Sequence, residues 1–333
     1  MDNRFIVSAS PHLKDPGKSS SVMWWVCIAL APAAAASAWI FGLRALLLIA
    51  VCVGTAVLTE ALTQLAFKRP VTVADGSATV TGILLAFTLP PATPIWMCVI
   101  GSFAAIFLVK QLFGGLGWNV FNPALAARAI LLSSFPVAIT TWSAPGWYFQ
   151  AVDSVGAATA VDAVGTASAL GIMKEAAKTG AAASMPYGYM NLLLGTVPGS
   201  LGETCKIALL IGAALLIAKG ILHWRIPAAY LGTVAVLSLV VGRDPLFDLL
   251  SGGLILGAFF MATDYVTSPT TPVGRLIFGA GCGLLTFLIR VYGGFPEGVC
   301  YAILLMNCVG PLIENATKPR KFGARKPVKG GAR

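Results

Sequence analysis

Long apolar segments separated by short polar connections dominate the chain. A helix needs about twenty apolar residues to cross a bilayer. Segments approaching that length lie at 22–41, 43–66, 76–91, 94–113, 122–141, 205–219, 226–242, 246–263, 275–292 and 296–314. Several are short or end at proline-rich corners such as Leu89-Pro90-Pro91. The pattern predicts an all-α polytopic membrane protein of about ten transmembrane helices.

Composition strengthens this interpretation. Of 333 residues, 57% are hydrophobic and only 11% are charged, with a mean hydropathy of +0.83. A soluble domain has roughly 25% charged residues, because its surface must meet water. We therefore expect the chain in the cell membrane.

The distribution of basic residues predicts orientation. Cytoplasmic connections are enriched in Lys and Arg. Here basic residues recur on every second connection, namely Arg4, Lys14, Lys18, Lys68, Arg69, Lys110, Lys219, Arg225 and Arg275. Arg44 and Arg243 are single basic residues on the opposite side. This alternation implies an even number of spans with both termini cytoplasmic. The predicted organisation is a cytoplasmic segment (1–21), five helices (22–142), an extracytoplasmic loop (143–204), five helices (205–314) and a basic cytoplasmic tail (315–333).

A faint internal similarity relates the two halves. The run from Ser77 to Thr88, SATVTGILLAFT, is similar to the run from Ser251 to Thr263, SGGLILGAFFMAT. The two lie on spans three and eight, and an odd offset of five would invert one half in the membrane, as in many transporters. The sequence thus favours a 5+5 inverted repeat, and chance similarity between Gly- and Ala-rich helices is the alternative.

The net charge and the cysteines do not indicate a nucleic-acid-binding protein or a metal site. The net charge is +10, but seven of the 23 Lys and Arg lie after residue 317, a basic tail that suits anionic lipid headgroups. No nucleic-acid-binding pattern accompanies it. The seven cysteines lie mostly in apolar runs without a CxxC pair, so we interpret them as small hydrophobes and expect no metal site.

Two polar stretches interrupt the apolar background. The first runs from Lys110 to Ala124 and includes Gly114, Gly115, Asn119 and Asn122. Unwound backbone in a membrane must be buried in protein or ligated, so a tight re-entrant turn and a cofactor or ion site both remain open.

The second polar stretch comes after span eight. It combines one carboxylate, several hydroxyls and one Arg, namely Asp264, Thr267, Ser268, Thr270, Thr271 and Arg275. Such a loop can bind an anion or the edge of an isoalloxazine ring. It can equally be a well-capped turn between helices.

The outer loop contains a tandem nine-residue unit. Asp153 to Val161 and Asp162 to Leu170 both have the pattern Asp-x-Val-Gly-x-Ala-(Thr/Ser)-Ala-(Val/Leu). Small residues around a hydroxyl make a backbone slim enough to enter another enzyme's cleft, with the Asp six residues upstream helping to position that hydroxyl. Alone, the stretch could be a flexible linker.

Acidic residues inside membranes are rare and indicate function by default. Glu60 in span two and Asp264 at the end of span eight are therefore candidates for ion or proton handling. Asp75 is a further candidate for ion coupling, but its position at the start of span three also suits a helix cap.

Motifs along nearly the whole chain, taken together, resemble the RnfD/NqrB family of membrane flavoproteins. They are Ser10-Pro11-His12, Asp75-Gly76-Ser77-Ala78, the Lys110–Ala124 stretch, Gly199–Thr204, Gly257–Asp264, Gly274–Gly279 and Gly293–Gly298. The D subunits of Rnf complexes are the nearer branch, because NqrB chains usually have a longer segment before span one.

The resemblance implies electron transfer between ferredoxin and NAD, coupled to Na⁺ or H⁺ movement. It implies an FMN joined by a phosphoester to a Thr of the outer loop, a non-covalent riboflavin, and an extracytoplasmic flavin transferase. The implied partners are the A, B, C, E and G subunits of the Rnf complex, especially the G subunit, which also holds covalent FMN. No catalytic side chain is implied.

The tandem unit leaves two attachment residues. Thr159, with Asp153 upstream, keeps the family's Thr, and we expect the FMN there. Ser168, with Asp162 upstream, is the alternative, because the residues from Leu170 to Glu175 better match the sequence that comes after the motif in the family. We expect backbone amides at Gly114–Asn122 and hydroxyls at Thr267–Thr271 to line the inner flavin. The alternatives are an NqrB-type subunit of a Na⁺-translocating NADH:quinone reductase, and a non-redox inverted-repeat transporter or channel.

Overall fold

Helices form almost all regular structure in the computed structural model, which describes residues 19–143, 145–146, 165–166, 168–179, 187–294 and 297–319. Apolar, Ala- and Leu-rich sequence explains the long helices, since such residues lose little freedom in a helix. The first half contains α1 (Ser19–Phe41), α2 (Leu43–Ala66), α3 (Ser77–Thr88), α4 (Ile95–Phe103, continued as a π-helix over Ala104–Gln111), α5 (Pro123–Ser134) and α6 (Pro136–Thr140).

The second half begins after a two-stranded ribbon. Strand β1 (Trp142–Ser143) pairs antiparallel with β2 (Gly165–Thr166). The helices after the ribbon are α7 (Ala169–Thr179), α8 (Tyr189–Leu194), α9 (Lys206–Ala218), α10 (Arg225–Val241), α11 (Pro245–Leu250), α12 (Leu254–Leu256, continued as a π-helix over Gly257–Met261), α13 (Pro272–Tyr292) and α14 (Val299–Thr317).

Four of the described helices, α1, α2, α13 and α14, are long and apolar enough to cross a membrane. Helices α3, α4, α5, α9 and α10 are apolar but shorter. On α2, Leu58, Leu62 and Leu65 are 56–61% exposed along one stripe. Water would penalise such a stripe, whereas lipid tails solvate it. An all-helical polytopic membrane protein is the class that fits.

Two predicted spans are interrupted. Segment 94–113 leaves α-helical geometry at Ala104, and segment 246–263 breaks between α11 and α12, where Gly252 has a φ of 63°. Both then continue in π-helical form, which is rare and frequently found at functional sites. Hydropathy cannot reveal such a break, because the side chains stay apolar while the hydrogen-bond register changes.

The connection 143–204 is also more structured than a linker. Its described residues include β2, α7 and α8. Leu170 of α7 and Leu192 of α8 are buried together with Val197 and Phe247 in a small apolar cluster. This connection therefore packs against α11 as a cap on one end of the helical bundle.

Small residues set the tightest helix contacts. A Cβ on Gly82 of α3 would lie 2.7 Å from the Cα of Val53 on α2, and one on Gly283 of α13 would lie 2.7 Å from the carbonyl oxygen of Tyr230 on α10. Close backbone approach of this kind is typical of membrane helices. Contacts of α1 with α9 and of α5 with α14 join the two halves.

Candidate functional site

A cavity lies where the two interrupted segments meet α1, α3 and α9. The space within it, including the part that is open to the surroundings, is about 810 Å³. Phe260, Leu222 and neighbouring apolar side chains form much of the wall. The polar lining comes from Ser77, Thr81, Lys110, Asn119, Asn122, Thr263 and Asp264. We call this space the inner cavity.

A buried ion pair stands at one wall of the inner cavity. The Lys110 Nζ donates to Glu60 Oε1 at 2.7 Å and to Ser77 Oγ at 2.6 Å, and Gln111 Nε2 donates to Glu60 Oε1 at 2.9 Å. Lys110 is 2% exposed and Glu60 is 1% exposed. Glu60 Oε2 has no hydrogen-bond partner among the described residues. The sequence analysis identified Glu60 and Lys110 as separate candidates, and the structure shows that they form one ion pair.

The Gly–Asn stretch forms a turn between the π-helical segment and α5, and it also lines the inner cavity. Gly114 and Gly115 have φ values of 125° and 100°, a region that side-chain-bearing residues rarely adopt. Asn122 caps α5 by accepting from the amides of Ala124 and Leu125, while its Nδ2 donates to the Met261 carbonyl oxygen at 3.3 Å. That bond joins the start of α5 to the π-helical segment at Met261.

The Ser/Thr stretch mostly binds itself and α14. The Thr270 amide and hydroxyl both donate to the Glu314 carboxylate, Thr271 caps α13 through the Gly274 amide, and Arg275 Nε donates to the Pro269 carbonyl oxygen. These contacts are those of a capped turn between helices. Within this stretch, the inner-cavity lining includes Asp264 but none of Thr267, Thr270, Thr271 and Arg275.

Asp264 and Asp75 differ in their surroundings. The Asp264 carboxylate lines the inner cavity and accepts from the Thr267 hydroxyl at 3.2 Å. Asp75 Oδ1 accepts from the Ser77 amide at 2.8 Å and from the Ser77 hydroxyl at 2.6 Å. Asp75 therefore acts as a local cap at the start of α3.

A second, smaller cavity of about 360 Å³ lies at the opposite end of α9. Its lining includes Ser168, Glu203, Lys206 and Glu297. Ser168 is buried, and its Oγ accepts from the Gly171 amide at 3.2 Å at the start of α7. We call this space the outer cavity. Thr159, Asp153 and Asp162 lie outside the described residues.

The outer cavity adjoins a third one of about 300 Å³, which shares Glu203 and Glu297 with it and is also lined by Arg128 and Ser200. The Arg128 Nη2 donates to Glu297 Oε2 at 2.5 Å. The sequence analysis did not name these residues as site candidates. The available signal was the charge of Arg128 and Lys206 within apolar segments.

The described residues contain no group of three or more His, Cys, Asp or Glu side chains able to hold a metal ion. All seven cysteines are free, and Cys52, Cys98, Cys282 and Cys300 are buried. Their surroundings are those of small core side chains.

Fold and site together define a multi-pass helical membrane protein with interrupted helices around a mixed apolar and polar cavity. The chain belongs to the NQR2, RnfD, RnfE family, whose pattern matches residues 6–323. The resemblance identified from the motifs is thereby confirmed.

Curated relatives cover almost the full length. The chain is 50% identical over 322 residues to the D subunit of the Na⁺-translocating ferredoxin:NAD⁺ oxidoreductase complex of Acetobacterium woodii, covering 96% of both chains. It is 45% identical over 331 residues to the D subunit of the proton-translocating ferredoxin:NAD⁺ oxidoreductase complex of Clostridium ljungdahlii, covering 97% of this chain and 98% of that one. It is 44% identical over 323 residues to the D subunit of the ion-translocating oxidoreductase complex of Stutzerimonas stutzeri, covering 91% of each.

Proposed function

We propose that this protein is the D subunit of an Rnf-type ferredoxin:NAD⁺ oxidoreductase complex that translocates Na⁺ or H⁺. The observation that supports it best is the near-full-length similarity to two D subunits with that activity in their names. Those two differ in the coupling ion, so the ion of this protein stays open. The remaining subunits of the complex, G foremost, are the proposed partners.

The inner cavity is the proposed riboflavin site. Its apolar walls and its few convergent polar groups fit a flat aromatic ligand with hydrogen-bonding edges. Lys110, Asn119, Asn122 and Asp264 would hold the polar edge of the ring. A bound flavin would supply one- and two-electron chemistry. The chain's own residues would bind it, fix its orientation and exclude water.

The covalent FMN is proposed for the outer loop, at Thr159 first and at Ser168 as the alternative. Ser168 lies on the outer cavity, where Lys206 supplies a nearby positive charge for a phosphate. Lys206 and Leu216, which line the outer and inner cavities, are ten residues apart on α9, roughly 15 Å along its axis. The two proposed flavins would thus lie near opposite ends of one helix.

Peptide mass mapping would identify the attachment residue. We expect an FMN adduct on the peptide with Thr159, and its loss in Thr159→Ala but not in Ser168→Ala. The opposite result would move the FMN to Ser168. A flavin-free band in a denaturing gel, from cells that express the transferase, would overturn the flavoprotein assignment and favour a non-redox transporter.

The 5+5 inverted repeat is also a proposal, and helix contacts support it. An offset of five pairs the spans α2 with α10, α3 with the α11–α12 segment, α4 with α13, and α5 with α14. The contacts of α2 with α4 and of α10 with α13 correspond, as do those of α4 with α5 and of α13 with α14. The α1–α9 and α5–α14 contacts would then lie on the pseudo-two-fold axis.

Orientation can be tested with fusions. With both termini cytoplasmic and ten spans, a fluorescent protein should fold and fluoresce after residue 333. Alkaline phosphatase inserted near residue 184 should be active outside. An inactive phosphatase there would contradict the proposed orientation.

Ion coupling is proposed for Glu60 rather than Asp75. Glu60 is buried in a polar network with Lys110, whereas Asp75 is occupied in capping α3.

The NqrB-type alternative predicts quinone reduction by the purified complex. Ferredoxin-dependent NAD⁺ reduction without quinone reduction would exclude that alternative.

A further inference from the structure

Two carboxylates that the proposed function does not use meet at the outer end of the bundle. Glu203 lies in the connection before α9, and Glu297 lies in the connection before α14. Both line the outer cavity and the third cavity. Glu203 is 4% exposed and the Glu297 side chain is 14% exposed, so water reaches them mainly through these cavities.

The hydrogen bonds of the two carboxylates leave one oxygen, Glu297 Oε1, without a donor among the described residues. Glu203 Oε1 accepts from the Ser200 amide at 2.8 Å, and Glu297 Oε2 accepts from Arg128. Glu297 and Glu203 nevertheless line the same two cavities. Two ionised carboxylates only accept hydrogen bonds, so a hydrogen bond between them would require one proton.

Most of the cations around the two carboxylates donate to backbone carbonyl oxygens. Arg128 makes the one direct ion pair with the two among the described residues. Lys206 donates to the backbone carbonyl of Glu203, and Arg290 donates to the carbonyl oxygens of Asp248 and Ser251. The titratable groups around the pair are Arg128 on α5, Lys206 on α9, Arg290 on α13, and Cys300 and Tyr301 on α14. Lys174 on α7 donates to the Gly293 carbonyl oxygen.

A separate observation comes from Ser200. It is 1% exposed, it lines the third cavity beside the two carboxylates, and its Oγ has no partner among the described residues. A buried hydroxyl without a partner is destabilising, because it loses its hydrogen bonds to water. A proton or water exchanging at the carboxylates would give this hydroxyl its missing partner.

We propose that Glu203 and Glu297 together bind one exchangeable proton, forming an outer proton site that opens onto the outer cavity. Burial, and secondarily the negative charge of Glu203, raise the pKa of Glu297 to about 7. The site would thus exchange its proton near neutral pH. Ser168 lines the same cavity, so reduction of an outer flavin would favour the protonated pair. Only this last coupling rests on the proposed function.

Infrared difference spectroscopy of the purified protein tests the proposal without any flavin. Titration from about pH 5 to pH 9 should remove a protonated carboxylic-acid band with a midpoint near neutrality. Labelling with ¹³C-glutamate should shift that band. Glu203→Gln and Glu297→Gln should each abolish it. Glu314→Gln, which changes an exposed acid bound by Thr270, should leave it intact.

The outcomes are separable. Absence of a glutamate-labelled band in the wild-type protein would overturn the proposal, as would its persistence in either Gln variant. Should one variant not fold, the other variant and the labelled wild type still decide. Absence of the covalent flavin would contradict the proposed function but would not contradict the proton site.

Discussion

The two ends of the bundle bury charge in opposite ways. At the inner cavity, Glu60 pairs with Lys110, and Gln111 and Ser77 complete the network. At the outer cavity, Glu203 and Glu297 lie together, and Arg128 compensates one of them. Opposite charges fix each other in the ionised state, whereas like charges in one site push one pKa upward. The two ends should therefore respond differently to the loss of a cation.

The contrast between the two ends also bears on the stability of the folded chain. A buried pair of opposite sign does little for net stability but becomes costly when one partner is lost. A carboxylate pair can relieve the loss of its cation by binding another proton. Removing the cation from each site should thus give penalties of different size and different pH dependence.

The largest effect is expected for Lys110→Met. It leaves Glu60 buried without a cation, and breaking such a pair costs about 3–5 kcal/mol. The double variant Glu60→Gln/Lys110→Met should recover most of that loss, because no uncompensated charge remains. Thermal unfolding of the detergent-purified protein measures both. A double variant as unstable as the single one would show that packing, not charge, dominates.

A smaller, pH-dependent loss is expected for Arg128→Met. Glu297 is left without its ion pair, but protonation removes the buried charge. We expect a loss of about 2–4 kcal/mol at pH 8, and clearly less at pH 5. Melting curves of Arg128→Met and Lys110→Met across that pH range test the contrast. A penalty for Arg128→Met independent of pH would remove the distinction between the two ends.

Much of this architecture could be predicted from the sequence. The apolar runs placed most helices within a few residues, and charged or glycine-rich positions marked Lys110, Asn119, Asn122 and Asp264, which all line the inner cavity. The attachment loop was recognisable only through the family resemblance, since Ala/Gly runs also form linkers.

Other features depend on tertiary contacts. Thr270 and Thr271 have the composition of a binding loop, but their partners come from α14, about 45 residues further on. Glu203 and Glu297 are 94 residues apart, and nothing local indicates that they meet. The π-helical segments were hidden because hydropathy reflects side chains and not backbone hydrogen bonds.

Stability should also fall with rising pH because of Glu297. Its pKa is about 7 in the folded chain against 4.5 when unperturbed, so the folded state binds the proton more tightly. The free energy of unfolding should therefore decrease as pH rises from about 4.5 to 7, by on the order of 1–3 kcal/mol. Glu297→Gln should flatten this dependence, while Glu314→Gln should retain it. Equal slopes in the wild type and Glu297→Gln would contradict the outer proton site.

The smallest expected effect concerns the backbone of the inner cavity. Gly115 has a φ of 100°, and a Cβ there would meet no atom closer than 3.9 Å, so Gly115→Ala isolates the cost of the left-handed backbone. We expect a loss of about 1–2 kcal/mol, together with weaker retention of non-covalent flavin. Gly54→Ala is the matched control, because Gly54 lies in α2 with open space around it. There Ala should be neutral or stabilising by about 0.5–1 kcal/mol. Equal behaviour of the two variants would mean that the turn at Gly115 relaxes freely and does not fix the inner site.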